Sequence, residues 1–495
     1  MTISEHLPAL VVVLPLMAAP ACVMLRHPFA AWLVASGTSW LCLLMSALLL
    51  RQVADHGAFS YQLGNWAAPW GIEYRIDMAS AFILVIVSAI AAVVSLYARA
   101  SVAHEIEQSR QYLFHALFVV CLSGLLGIAI TGDAFNLFVF LEISSLSTYA
   151  MVALGRDRRA LTAAMRYLVL GTVGATFYVI GVGLAYMMTG TLNMADLAAR
   201  LPAVIHTSTA QAGLAFLVIG IGLKMAAFPL HFWLPDAYAH APSAASAFLA
   251  GTATKVAVYA FLRMVVGVFG ATGILAVAAM ADMLMVVAVL GMVVGSAVAI
   301  WQTDIRRALA YSSVAQIGYV LLGISLLTEA GLAAGIVHLF NHAVMKSALF
   351  LALGSVFLRL GSVRIADLAG IGRRMPLSMA AFLVAGLSMI GVPLTVGFVS
   401  KWYLVEAILH KGLWPVAVLV LLSSLLAVVY VWRVVEVMWF AKPSALALTA
   451  VEAPLSMLVP TWMLAGAAVW FGVDATGTMA VARAAAAVLM TGVGQ

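Results

Sequence analysis

Four lysines, Lys224, Lys255, Lys346 and Lys401, lie inside long apolar stretches of a chain that contains only six lysines in 495 residues. An ammonium group at the centre of a bilayer costs roughly 2.5–3.5 kcal/mol on insertion scales, so it is rarely there without a use. Lysine is also the basic side chain that gives up its proton readily when desolvated. Four such groups point to a path for protons or ions through a membrane.

Other titratable residues stand close to them in sequence. In GDAFNLFVFLEISSLSTYAMVALG, Glu142 is alone in the apolar stretch, where a carboxylate must pair or neutralise. Lys224 shares GIGLKMAAFPLHFWLPDAYAHAP with His231, Asp236 and His240, and these last three are candidates for proton uptake. Lys255 has Thr252 and Thr254 nearby. His338, His342 and Lys346 follow at i, i+4 and i+8, which places them on one face of a helix. Lys401 sits beside Ser400, with Glu406 further along. Together these residues can form a chain of proton donors and acceptors. A carboxylate beside a lysine holds it charged, and parting the pair releases a proton to the next group.

Plainer readings exist for each. Glu142 and Lys224 could be a stapling salt bridge. The two histidines could be polar glue between helices, or ligands of a metal or haem, although no HExxH motif or matching pair is present. Asp236 and His240 could cap a helix end.

The elements that must position these groups follow from composition. Hydrophobic residues make up 65% and charged ones 9%, against about 25% charged in soluble domains. The apolar runs reach about 20 residues, which fits membrane helices and not a barrel. The fold class is therefore an all-α integral membrane protein, with about fourteen spans between residues 7 and 473. The runs 211–240 and 377–410 are over-long and interrupted, one by Pro229 and Pro235, the other by Gly391, Pro393 and Gly397. Broken helices of this kind often mark transport sites.

The first run follows Glu5 and His6 without a basic leader or cleavage site and reads as a retained helix. The segment FSYQLGNWAAPWGIEYR (59–75) is too polar to span and suits a hairpin or loop at headgroup level. Loops on one side carry Arg51, Arg75, Arg200, Arg263, Lys411 and Arg483. The other side is far richer, with Arg156, Arg158, Arg159, Arg306, Arg307, Arg373 and Arg374 among its charges. The positive-inside rule then puts both termini outside the cytoplasm, in a bacterial-type inner membrane.

The net charge of +6 lies in short loops and does not indicate nucleic acid, and Cys22, Cys42 and Cys121 read as core residues. No nucleotide-binding loop or iron–sulfur cysteine cluster occurs, so no cofactor or metal is expected.

The stretch KMAAFPLHFWLPDAYAHAPSAASAFLAGTATKVAVYAFLR resembles the signature of the proton-translocating antiporter-like subunits found in Mrp-type sodium/proton antiporters, complex I and membrane-bound hydrogenases. FNLFVFLEISSLSTYA, HLFNHAVMKSALFLALGS and GVPLTVGFVSKW resemble its other blocks, in order, across residues 75–440. The resemblance implies two inverted five-helix repeats, at 113–269 and 270–440. Three helices and the hairpin (1–112) would precede them, and a helix and tail (441–495) would follow. It implies a switching pair Glu142–Lys224, a central Lys255, a continuation through His338, His342 and Lys346, and a terminal Lys401. It also implies partner membrane subunits. Chain length and Lys401 favour a protein similar to the D-type component of Mrp, in a sodium/proton antiporter. The alternative is a pumping arm of complex I or a hydrogenase. Tyr238 departs from the family pattern, which often has histidine there.

Overall fold

The computed structural model describes residues 3–270, 273 and 278–491. In chain order the helices are α1 (Leu7–Leu25), α2 (Pro28–His56), α3 (Met78–Glu105), α4 (Gln111–Ile130), α5 (Ala134–Ala153), α6 (Arg159–Thr189) and α7 (Met194–Arg200). Then come α8 (Ser208–Lys224), α9 (Leu234–His240), α10 (Ser243–Gly251), α11 (Ala253–Phe261), α12 (Ala278–Ile300), α13 (Ile305–Ser325) and α14 (Glu329–Leu360). The last are α15 (Pro376–Ile390), α16 (Val396–His410), α17 (Trp414–Trp439), α18 (Ala445–Leu448), α19 (Leu455–Val473) and α20 (Thr476–Thr491).

Among the described residues twelve helices are long and apolar enough to cross a membrane, or thirteen counting Ile365–Arg373 with Pro376–Ile390, a pair bent by 113°. The two expected runs missing from the twelve are the interrupted ones. The first divides into α8 and α9, the second into α15 and α16. Their prolines and glycines end helices for the usual reasons. Proline lacks the N–H and disfavours helix before it, and Gly391 adopts φ +95° to close α15. The chain between α10 and α11 is also broken, at Thr252 (φ −126°, ψ −58°), and α11 continues as a π-helical turn over Leu262–Val268. The sequence reading expected neither irregularity.

Burial sorts the helices into layers. The span from α10 through the π-turn, and α13, are 94% buried over their apolar windows, and α3, α4 and α14 are 83% buried. α1, α6, α12, α17 and α19 are buried over less than half of theirs and present apolar side chains outward, as lipid-facing helices must. The lysines ride on the inner helices or on breaks packed against them.

Close approach of α6 and α8 depends on small residues. A Cβ at Gly220 would stand 2.6 Å from the Tyr178 backbone nitrogen, whereas one at Gly183 would meet nothing within 4 Å. Gly220→Ala is therefore expected to destabilise by about 1–3 kcal/mol, the range for overpacking. The amount of folded chain recovered from membranes should fall, and Gly183→Ala in the same assay should match the native chain.

The polar segment before α3 is a hairpin, as expected: β1 (Phe59–Gln62) pairs antiparallel with β2 (Glu73–Ile76), Phe59 opposite Ile76. Glu73 ties it to the bundle, accepting from the Asn193 amide at 2.7 Å. α20 was expected only as tail. It packs against α3, α14 and the π-turn, and buries Met479, Ala482, Ala485, Ala486 and Leu489.

Candidate functional site

Lys224 is the last residue of α8, where a cation meets the helix's negative end. Its Nζ donates to Glu142 Oε1 at 3.1 Å and to Ser145 Oγ at 2.8 Å, so the expected pair is formed between α5 and α8. Beside it lies a cavity of about 20 Å³ lined by Ser144, Ser145, Thr148 and Lys224 on one side and by Ala253 and Ala257 of α11 on the other. That is space for about one water, with three hydroxyls to hold it.

Lys255, 1% exposed, has no carboxylate partner among the described residues. Its ammonium donates to the Ala250 carbonyl and reaches Thr254 Oγ1 at 3.5 Å. The break at Thr252 explains this bond, because the last carbonyls of α10 are left without helical donors. Lys401 repeats the arrangement. Its Nζ donates to Met389 O at 3.0 Å and Ile390 O at 2.9 Å, the C-terminal carbonyls of α15, and to Ser424 Oγ at 3.0 Å. It also lies 4.8 Å from the centre of the Tyr319 ring. Lys346 donates to Leu309 O at 2.6 Å and to the Ser312 hydroxyl. Three of the four ammonium groups are thus held by main-chain dipoles, and only Lys224 by a charge.

His338 and His342 lie on the same face of α14 with ring centres 6.2 Å apart. His338 is fixed at both nitrogens, Nδ1 to Ser400 Oγ at 2.8 Å and Nε2 to Gln316 Oε1 at 3.0 Å. Ser400 adjoins Lys401, and the Tyr319 ring lies 5.6 Å from His338. His338, Ser400 and Lys401 are thus brought together between α13, α14 and α16, with His342 stacked on His338 and Lys346 one turn further along α14. His342 is fully buried, and neither ring nitrogen has a hydrogen-bond partner among the described residues.

The three uptake candidates do not form a cluster. Asp236 is clamped by Arg166 and Arg307, both at 2.6 Å, and so pins α9 to α6 and α13. His231 is stacked against Phe228 and Phe232, and its buried Nδ1 has no hydrogen-bond partner among the described residues. His240 borders a cleft, 4.0 Å from Asp157. No group of three or more His, Cys, Asp or Glu among the described residues is arranged to hold a metal.

Several polar residues at the site were not singled out from sequence. Ser312, Gln316 and Tyr319 recur at i, i+4 and i+7 on α13, a polar stripe in an apolar helix that was there to be read. Arg263 and Arg306 were counted as loop charges, yet each is 4% exposed. Arg263 lies in the π-turn and pairs with Asp77 at the start of α3, while Nε donates to Tyr259 Oη at 2.6 Å. Arg306 donates to Ser243 Oγ at 2.6 Å and covers the Phe357 ring at 4.5 Å. Helix ends drawn into the bundle, with partners supplied by distant segments, account for both.

Buried lysines seated at helix breaks, beside a carboxylate pair and a histidine cluster, are the furniture of a membrane protein that moves ions. The chain belongs to the family described as NADH:quinone oxidoreductase/Mrp antiporter, TM, which it matches over residues 131–427. It is 42% identical over 478 residues to NADH-quinone oxidoreductase subunit N of Desulforudis audaxviator, covering 93% of this chain and 94% of that one. It is 31% identical over 388 residues to the D component of the Na(+)/H(+) antiporter of Alkalihalophilus pseudofirmus, covering 78% and 76%. A chain in the structure of the Mrp complex from Dietzia sp. superposes with a TM-score of 0.91 at 26% identity, covering 99% and 98%. The protein is thus an antiporter-like, multi-pass membrane subunit of the kind shared by Mrp and complex I assemblies.

Proposed function

We propose that this chain conducts protons within a multi-subunit exchanger of sodium or another monovalent cation for protons. Its arginine-rich helix ends would face the cytoplasm, with both termini outside. The observation that carries this reading is the continuity of titratable groups across the inner helices. Lys224 with its Glu142 partner adjoins a water-sized cavity that reaches α11, the helix of Lys255. Lys346, His342, His338 and Lys401 continue through α13, α14 and α16. Opening of the Glu142–Lys224 pair frees a proton for the cavity, and Lys255 passes the charge to the histidine cluster. The unbonded imidazole of His342 suits a transient carrier, because a permanent structural role would ask for partners.

A second reading is favoured by the 42% identity, over nearly full length, to a quinone oxidoreductase subunit. In it the same relay is driven by electron transfer in hydrophilic partner subunits. Membrane vesicles carrying the complete assembly separate the two. In an exchanger, added sodium, lithium or potassium should dissipate an imposed pH gradient, and Lys224→Ala should abolish the effect. Proton movement seen only after a reductant is added would assign the chain to a redox-driven pump. Native transport in both Lys224→Ala and Glu142→Ala would overturn the relay itself.

A further inference from the structure

Glu142, Ser145 and Tyr149 recur at i, i+3 and i+7 on α5, which sets three polar side chains in a row along one face of the helix. Lys224 uses the first two, its Nζ donating to Glu142 Oε1 at 3.1 Å and to Ser145 Oγ at 2.8 Å. The third is unused. Tyr149 is 5% exposed, and its hydroxyl is buried without a hydrogen-bond partner among the described residues. A buried polar group left in that state calls for an explanation.

The packing of α6 places this hydroxyl beside the lysine. A Cβ at Gly171 would collide with Tyr149 Oη, and one at Gly174 would lie 3.6 Å from Lys224 Cγ. These two glycines are three residues apart, or about 4.5 Å along the helix. The tip of the phenol and the stem of the lysine therefore lie side by side in one groove of α6. Beyond Cγ the lysine stem is flexible, so its ammonium can cross that interval while the main chain stays in place.

The phenol is held where it is. Its ring meets Tyr167 edge-on at 4.5 Å, and Tyr167 stacks on Trp233 at 3.9 Å. The Trp233 indole donates to Leu223 O at 2.9 Å, the carbonyl of the residue before Lys224. This aromatic ladder fixes the hydroxyl against the same turn of α8 that carries the lysine.

We propose that Tyr149 is a positioning residue for proton transfer, its hydroxyl being the second seat of the Lys224 ammonium when the pair with Glu142 opens. Ser145, between the two seats, is the pivot. The move exchanges a hydrogen bond to a carboxylate for one to a neutral oxygen, and no covalent bond changes. With its countercharge left behind, the ammonium gives its proton to water in the cavity lined by Ser145, Thr148 and Lys224, and becomes a neutral amine. Reprotonation returns it to Glu142. This assignment rests on the relay reading above.

Tyr149→Phe removes one oxygen, and an unpartnered one, so the variant should assemble at native levels. In vesicles carrying the complete assembly, its proton flux per assembled complex is expected to fall at least tenfold. A hydroxyl that served packing alone would give the reverse, less assembled complex with native flux in each. Native flux per complex in Tyr149→Phe, with flux abolished in Lys224→Ala, would overturn the second seat and leave the relay standing. Native rates in both would overturn both.

Glu142→Ala reads the seat directly and keeps Tyr149 in place. Electron cryomicroscopy of the complete assembly carrying this variant should find Lys224 Nζ at hydrogen-bond distance, about 3 Å, from Tyr149 Oη. An ammonium that stays on Ser145 alone, or turns away from α5, would overturn the proposal whatever the flux of Tyr149→Phe.

Discussion

Lys401→Arg is expected to reduce proton movement by at least about a hundredfold while leaving the chain assembled at native levels. The guanidinium keeps the positive charge, retains donors for Met389 O, Ile390 O and Ser424 Oγ, and still faces the Tyr319 ring. What it loses is the capacity to become neutral, since arginine is not deprotonated in proteins. A positioned proton-transfer group is worth roughly 10²–10⁴-fold in rate, so the variant isolates proton release from every other service of the residue. Flux in vesicles, normalised to assembled complex on native gels, is the measurement. Native flux in Lys401→Arg would mean the residue acts only as a fixed charge.

The second large effect concerns stability. Arg263→Met strips the partner from Asp77, which is 2% exposed at the start of α3. Removing one member of a buried pair typically costs 3–5 kcal/mol, whereas removing both is often nearly neutral. The single variant should therefore aggregate at clearly lower temperature, followed by size exclusion of the heated, detergent-solubilised protein. Asp77→Asn in the same chain should recover more than half of the loss, because asparagine still caps Ser80 in the box that begins α3. Failure of the double variant to recover would place the contribution of Arg263 in its bond to Tyr259, which in turn reaches Ala129 O at 2.8 Å.

The fold was legible where a rule of the bilayer acts locally. Apolar runs, the proline and glycine interruptions at 229, 235, 391 and 393, and the polar hairpin each carry their reason within twenty residues or so. α20 escaped because its buried positions are mostly alanines, too weak a stripe to announce a helix beside longer apolar runs. The break at Thr252 escaped because no proline marks it. At the site, residue type was legible and partnership was not. Asp77 and Arg263 are 186 positions apart, and nothing near either one names the other.

Main-chain ligation of Lys255, Lys346 and Lys401 has a consequence for how such a protein can vary. The carbonyls of Ala250, Leu309, Met389 and Ile390 persist whatever side chains those positions carry, so these contacts are insulated from ordinary point substitution. They are exposed to a different kind of change. One residue added to or removed from α10 or α15 would turn its terminal carbonyls by about 100° and shift them by about 1.5 Å, and the ammonium group would face a different atom. Divergence in this chain should therefore run freely through letter changes around the lysines, while length changes in the half-helices that seat them are eliminated.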